Sequence, residues 1–177
     1  MLIEQRSIYS GRVINLNIET VKLPNGVTCE LEMIHHPGGV AIVALNAKHE
    51  ICLVHQFRHA AGGRLWELPA GKIDNDEDPA LTAKRELNEE VGIQANRWQH
   101  LGQTISSPGV FTEIVQLFLA TDLQDGLQNL EAEEVLDVHW FSLEKIMSMI
   151  QAGEIYDAKT LVGLFYLQQP LHVGEFC

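Results

Sequence analysis

The segment Gly71–Ile93, GKIDNDEDPALTAKRELNEEVGI, sets four glutamates and one arginine at fixed offsets along what reads as one short helix between two loops. Glu77 follows Gly71 by six positions, Arg85 and Glu86 come eight and nine positions after Glu77, and Glu89–Glu90 and Gly92 complete the set. Asp78 is a good N-cap and Pro79 suits the first helical position, where its missing N–H costs nothing. Ala80–Val91 is rich in helix formers, and Gly92 stands where a left-handed cap ends a helix. Ala80, Ala83, Leu87 and Val91 follow the helical repeat and predict an apolar stripe that packs on a sheet.

Glu86 and Glu90 are four apart and share a face beside that stripe, with Glu89 three from Glu86. Like charges at this spacing weaken an isolated helix. They become favourable around a hard divalent cation, because Mg²⁺ and Mn²⁺ take carboxylate and phosphate oxygens. A solvated acidic face is the plainer explanation of a Glu–Glu pair, but it leaves Gly71, Glu77, Arg85, Leu87 and Gly92 in register by accident.

The remaining chain frames this segment. Its 177 residues fit one medium domain with a small extension, and 46% apolar with 20% charged residues suits a globular fold. A net charge of −12 argues against a surface that tracks nucleic-acid phosphates, although a bound metal still permits a single anionic ligand. Cys29, Cys52 and Cys177 show no zinc or disulfide spacing. No signal-peptide layout or membrane-length apolar run is present, so no membrane partner and a reducing cytoplasm are expected. The scattered histidines, among them His35, His36, His55, His59 and His139, read as structural or exposed.

Alternation on both sides of Pro24-Asn25-Gly26 predicts a β-hairpin over residues 13–34, marginal alone and in need of a packing partner. Val40–Leu45 and Ile51–Phe57 are apolar runs of strand length, and Trp66–Leu68 reads as a short strand leading into Gly71. Further strands are expected near 98–106, 113–120 and 135–141. Two closing helices follow, one over 143–152 capped by Ser142 and one over 158–168 capped by Asp157, with Pro170 just beyond. The fold class is α/β with a mixed sheet between helices.

The segment 71–93 resembles the Nudix box, G-x5-E-x7-R-E-U-x-E-E-x-G-U with U aliphatic, at every fixed position. That resemblance implies an α/β/α sandwich with an N-terminal antiparallel β-hairpin extension, divided as residues 1–37 and a hydrolase domain over 38–177. It also implies metal-dependent cleavage of a nucleoside diphosphate linked to another group. Flanking segments are similar to the ADP-ribose and ADP-sugar pyrophosphatase subgroup: Gln56-Phe57-Arg58, Glu67-Leu68-Pro69-Ala70-Gly71, Ser107-Pro108-Gly109 with Pro108 sixteen residues after Gly92, and Glu131-Ala132-Glu133-Glu134. Taken singly, Pro108-Gly109 is a turn, Arg58 and Glu67 an ordinary ion pair, and 131–134 a solvated loop.

Carried onto these positions, the resemblance implies Mg²⁺ or Mn²⁺ held by Glu86, Glu89, Glu90 and the Ala70 carbonyl. Arg58, Glu67, Pro108 and Gly109 would bind substrate. Glu134 is the first choice for the base, with Glu133 and Glu113 as alternatives, and Arg85 would orient Glu89 or its neighbours. The expected substrate is ADP-ribose or a related ADP-sugar, cleaved to AMP and a sugar phosphate by a homodimer, and the extension resembles the one through which members of this subgroup form swapped dimers. Two departures stand: Ala132 replaces a frequent acidic residue, and the extension offers only Tyr9 as an aromatic partner for adenine. GDP-mannose, other nucleotide sugars and dinucleoside polyphosphates therefore remain as substrates, and a non-catalytic nucleotide sensor remains as a different class.

Overall fold

The structure, a computed structural model, describes residues 1–74 and 77–169. Pro170 and Cys177 lie outside the described residues. Ten strands and three helices follow in the order β1 (Leu2–Ser10), β2 (Asn15–Lys22), β3 (Thr28–His35), β4 (Gly39–Ala44), β5 (Glu50–Arg58), β6 (Gly63–Glu67), β7 (Ala70–Lys72), α1 (Pro79–Glu86), β8 (Ile93–Ile105), β9 (Ile114–Asp125), β10 (Leu136–Ser142), α2 (Leu143–Gln151) and α3 (Ala158–Leu167). A π-helical turn over Leu87–Val91 continues α1.

Three sheets organise these strands. The central one has the order β7-β4-β9-β8, with β4 and β9 parallel and the other pairs antiparallel, so the expected mixed sheet is present. The second is antiparallel, β10-β5-β6. Strands buried on both faces should read as unbroken apolar runs, and β4 is buried along its whole length. Its side chains alternate between two cores. Ala41 and Val43 join Ile51, Leu53, Leu117, Ile146 of α2 and Leu164 of α3. Val40, Ile42 and Ala44 join Cys52, Phe118 and Ala83 and Leu87 of the box segment. Helices thus cover both faces, which is the layering expected from the sequence. Among the described residues no helix is long and apolar enough to cross a membrane.

The N-terminal region holds one strand more than expected. β2 and β3 form the hairpin, closed by the Leu23–Val27 turn with Gly26 at φ 84°, and β1 pairs with the outer edge of β2. β1 is exposed at every position, so no alternating burial marks it in the sequence. In β2 the residue buried deepest is Asn17, while Leu16 and Ile18 are half-exposed. The apolar side of this small sheet is therefore incompletely covered.

Strand ends place the site. β5 ends at Arg58, β6 at Glu67, and β7 begins at Ala70, while Gly39 at the start of β4 pairs with Lys72 and Val115. Gly39, Arg58 and Ala70 line one cleft, and the Arg58 side chain reaches back along the β5–β6 ladder to Glu67.

Candidate active site

Helix α1 starts as expected: Asp78 accepts hydrogen bonds from the N–H groups of Ala80 and Leu81, and Pro79 occupies the first turn. It leaves α geometry at Glu86 and passes into the π turn, which ends at Gly92 in left-handed geometry, φ 71°. This differs from the one regular helix to Val91 that the sequence predicts. A π turn is wider than an α turn and is often found at functional sites. Here Glu90 turns into the protein, 1% exposed, whereas the Glu89 side chain keeps about a third of its surface and pairs with Arg85.

One oxygen each from Glu86, Glu90 and Glu134 lies within 4.8 Å of the others. Glu90 Oε2 accepts a hydrogen bond from the Ala70 N–H at 2.9 Å. Glu86 accepts one from Arg85 Nη1 at 2.8 Å, and the same nitrogen donates to Glu89 at 2.9 Å. Arg85 also donates to Glu77 through Nε and Nη2, at 3.3 and 3.2 Å. It therefore spends its donors on the box carboxylates. Gly71 permits the close fit, since a Cβ there would stand 1.9 Å from the Glu86 carboxyl carbon.

Burial dominates the electrostatics. It pushes the Glu86 carboxyl up to about 7, against the opposing charge and hydrogen bond of Arg85. It pushes Glu90 up to about 8, with the Ala70 N–H opposing and the charges of Glu86 and Glu134 adding to the rise. Two buried carboxylates facing a third are costly when ionised and suit a divalent cation, whose hard oxygen preference matches this donor set. The residues present thus fit Mg²⁺ or Mn²⁺. The pocket around them, about 290 Å³, is also lined by Gln56, Phe57, Arg58, Glu131 and Glu133.

A larger cleft of about 620 Å³ adjoins this pocket and shares Arg58, Ala70, Gly71 and Lys72 with it. Clefts of this size hold small organic ligands. Arg58 sits at the junction and is fixed by Glu67, which is 2% exposed: Nη2 donates to Oε2 at 2.8 Å and Nε lies 3.2 Å from both oxygens. Lys159 Nζ lies 3.2 Å from the same Glu67 oxygen and 3.0 Å from Asp157. His36, Thr104, Ser106 and Glu113 also line the cleft. Glu113 accepts a hydrogen bond from Ser106 and lies 3.6 Å from His36 Nδ1, and burial lowers the pKa of His36.

The sequence-predicted site residues separate accordingly. Glu86, Glu90 and Glu134 converge, and Ala70 and Arg58 adjoin them. Glu133 lines the pocket, whereas Glu89 is held by Arg85. Glu113 stands in the cleft, outside the carboxylate group. Pro108 and Gly109 are exposed in the turn after β8, do not line the cleft, and a Cβ on Gly109 would meet open space. Lys159, Asp157 and His36 are cleft residues that the sequence does not reveal. Asp157 reads there only as the cap of α3, which it is, since it accepts from the Thr160 N–H at 3.0 Å.

Known proteins share this sequence pattern and fold. The NUDIX domain pattern matches residues 35–161. The chain is 39% identical to the ADP-ribose pyrophosphatase of Bacillus subtilis (strain 168), over 94% of this chain and 91% of that protein. It is 37% identical to the methanol dehydrogenase activator of Bacillus methanolicus, with the same two coverages. A crystal structure of an ADP compounds hydrolase superposes with a TM-score of 0.82 over 95% of this chain and 91% of the other, at 21% identity, and shows the same fold. With the box carboxylates all in place, this chain belongs to the NUDIX-domain family and is a Nudix hydrolase.

Proposed function

We propose that this protein hydrolyses the diphosphate bond of ADP-ribose or a closely related ADP-sugar, releasing AMP and a sugar phosphate, with Mg²⁺ or Mn²⁺ as its cofactor. The observation that carries the reading is the junction of the two cavities. A three-carboxylate pocket opens into a cleft sized for a nucleotide sugar, and an arginine braced by a buried glutamate stands between them. The relative in Bacillus subtilis supports ADP-ribose as the substrate. Retention of every box carboxylate speaks against a silent nucleotide sensor.

Glu86 and Glu90 would hold the cation, with the Ala70 carbonyl beside them. A divalent ion bound there would supply charge neutralisation for the diphosphate and a lowered pKa for a water nucleophile. Arg58 grips a phosphate through its planar fork, which Glu67 keeps in one orientation. Glu134 takes the proton of the attacking water, while Glu131 and Glu133 line the same wall. Water adds across the P–O bridge, so ADP-ribose yields AMP and ribose 5-phosphate. Arg85 locks Glu86 and Glu89 in place, with Glu77 supporting it.

The N-terminal strands serve as the dimerisation element of a homodimer. Leu2, Ile3, Ile8, Tyr9, Val27 and Leu31 are all exposed there, more apolar surface than one small sheet normally leaves in water. A monomer by sedimentation at micromolar concentration would contradict this assignment. A reducing cytoplasm as the place of action accords with Cys29 and Cys52, both free among the described residues.

The substrate is tested with a panel of nucleoside diphosphate sugars and dinucleoside polyphosphates with Mg²⁺, read as phosphate released by an added phosphatase. ADP-ribose should show the highest kcat/KM. A higher value for GDP-mannose or a dinucleoside polyphosphate would move the protein to another subgroup, and tight binding without turnover under any divalent metal would make it a sensor.

A further inference from the structure

The end of the box segment leaves backbone carbonyls that its own turns do not satisfy, as helix ends do. Here one stretch of chain meets them. The Asn129 N–H donates to the Glu89 carbonyl at 2.9 Å, and the Gly126 N–H to the Gly92 carbonyl at 2.7 Å. The Gln128 side chain donates through Nε2 to the Glu90 carbonyl at 2.7 Å. The chain that follows β9 is thus seated on the end of the π turn. Two glycines allow the approach: a Cβ on Gly92 would stand 2.9 Å from the Gln128 backbone nitrogen, and one on Gly126 would stand 2.5 Å from Asn88 Oδ1.

The seated segment is the one that carries the acids of the pocket wall, and its other end is held where the Phe57 N–H donates to the Val135 carbonyl at 2.9 Å. Between these anchors Glu134 Oε2 accepts a hydrogen bond from the Glu131 N–H at 2.8 Å, and the Glu134 N–H donates to the Glu131 carbonyl at 3.1 Å. The carboxylate is therefore fixed to a short turn of its own chain, so the place of Glu131 matters to it. Apolar packing does not set that place. No residue from Gly126 to Glu134 is buried, and Leu127 is 84% exposed. Hydrogen bonds set it instead, and of the three to the π turn only that of Gln128 comes from a side chain. One such bond shifts an equilibrium between two loop positions by up to about tenfold.

We propose that Gln128 is a positioning residue for the Glu134 carboxylate: by tying the segment 126–134 to the Glu90 carbonyl, it holds Glu134 opposite the Glu90 side chain. The role rests on the hydrolytic reading above, in which Glu134 takes the proton of the attacking water, and adds to it a group that touches neither cation nor substrate. Glu90 then serves twice, offering its carboxylate to the cation site and its carbonyl to the segment that bears the base. The Glu90 side chain has a separate anchor, the Ala70 N–H at 2.9 Å, so loss of Gln128 leaves the cation ligands in place.

Gln128→Met removes the donor at nearly constant length from an exposed position, so Tm should stay within a few degrees of wild type. On the best nucleotide sugar of the panel above, kcat should fall by about tenfold. KM and the Mn²⁺ dissociation constant, read by electron paramagnetic resonance without substrate, should stay within about threefold of wild type. In the Glu134→Gln background the same change should cost less than about twofold, because the carboxylate it positions is already gone. Gln128→Ala carries the same measurements if the methionine variant is insoluble. A kcat loss smaller than about threefold in the single variant overturns the proposal, as does a loss in the Glu134→Gln background equal to that in wild type. Wild-type turnover in Glu134→Gln overturns the base assignment and the positioning role together, whereas a low rate there beside a normal rate in Gln128→Met overturns the positioning role alone.

Discussion

The Glu86 carboxylate lies against the α-carbon of Gly71, so close that a Cβ on residue 71 would stand 1.9 Å from its carboxyl carbon. The first glycine of the box and the glutamate of its Arg-Glu pair are thus fitted to each other across β7 and the end of α1.

Gly71→Ala should therefore act on chemistry more than on folding. The clash is with the end of a side chain, which can swing away, and β7 is extended backbone that alanine accepts. Tm should fall by only a few degrees, about 1 kcal/mol or less, while metal affinity and kcat drop by about 100-fold or more because Glu86 leaves the site. Melting curves and Mn²⁺ titration together check this, and a variant with wild-type turnover would show that the contact is dispensable.

Metal-free protein should lose stability as pH rises. Glu86 and Glu90 have carboxyl groups raised by burial to about 7 and about 8, so the folded state takes up protons that the unfolded state releases near its lower, ordinary pKa. The contribution is complete below the unfolded value and is lost as pH climbs through 7 and 8. Its size is about 1.4 kcal/mol for each pH unit between the unfolded and folded values. In chelator, Tm should decline from about pH 4.5 to about pH 8 and level off above that, and saturating Mg²⁺ should flatten the decline. A metal-free Tm that rises over this window would mean that the two carboxylates are not buried as charges.

The three candidate bases should respond differently. Glu134→Gln is expected to lower kcat by about 100-fold or more with Mn²⁺ affinity kept within about threefold, because a base is lost and the cation keeps Glu86 and Glu90. Glu113→Gln should act mainly on KM, since Glu113 sits in the cleft beside His36 and Ser106. If Mn²⁺ affinity falls with kcat in Glu134→Gln, that residue is a ligand, and Glu133→Gln becomes the variant to examine.

Local patterns carry much of this structure. The cap at Asp78, the apolar stripe of α1 and the runs that form β4 and β5 are readable because short-range periodicity and double-sided burial produce them. β1 is not readable, since both its faces are exposed and nothing alternates. The π turn is also hidden: Glu86, Leu87, Glu89 and Glu90 have the same spacing in an unbroken α-helix, and only packing sends Glu90 inward while Glu89 stays with Arg85. Lys159 reaches Glu67 from the far end of the chain, through the seating of α3 on β4, and no local pattern announces such a contact. Glu113 enters the sequence reading as an alternative base, whereas the fold places it in the cleft beside His36 and outside the carboxylate group.

Glu86 and Glu90 are assigned to hold a divalent cation that drives hydrolysis of a nucleotide sugar. The most direct test is turnover of ADP-ribose by wild-type protein and Glu90→Gln across a Mg²⁺ titration that begins in chelator. Wild type should be silent in chelator and rise to saturation with AMP and ribose 5-phosphate as products. Glu90→Gln should stay folded and lose about 1,000-fold or more in turnover at every Mg²⁺ concentration. Turnover in chelator, or a folded Glu90→Gln that keeps the wild-type rate, would contradict this assignment.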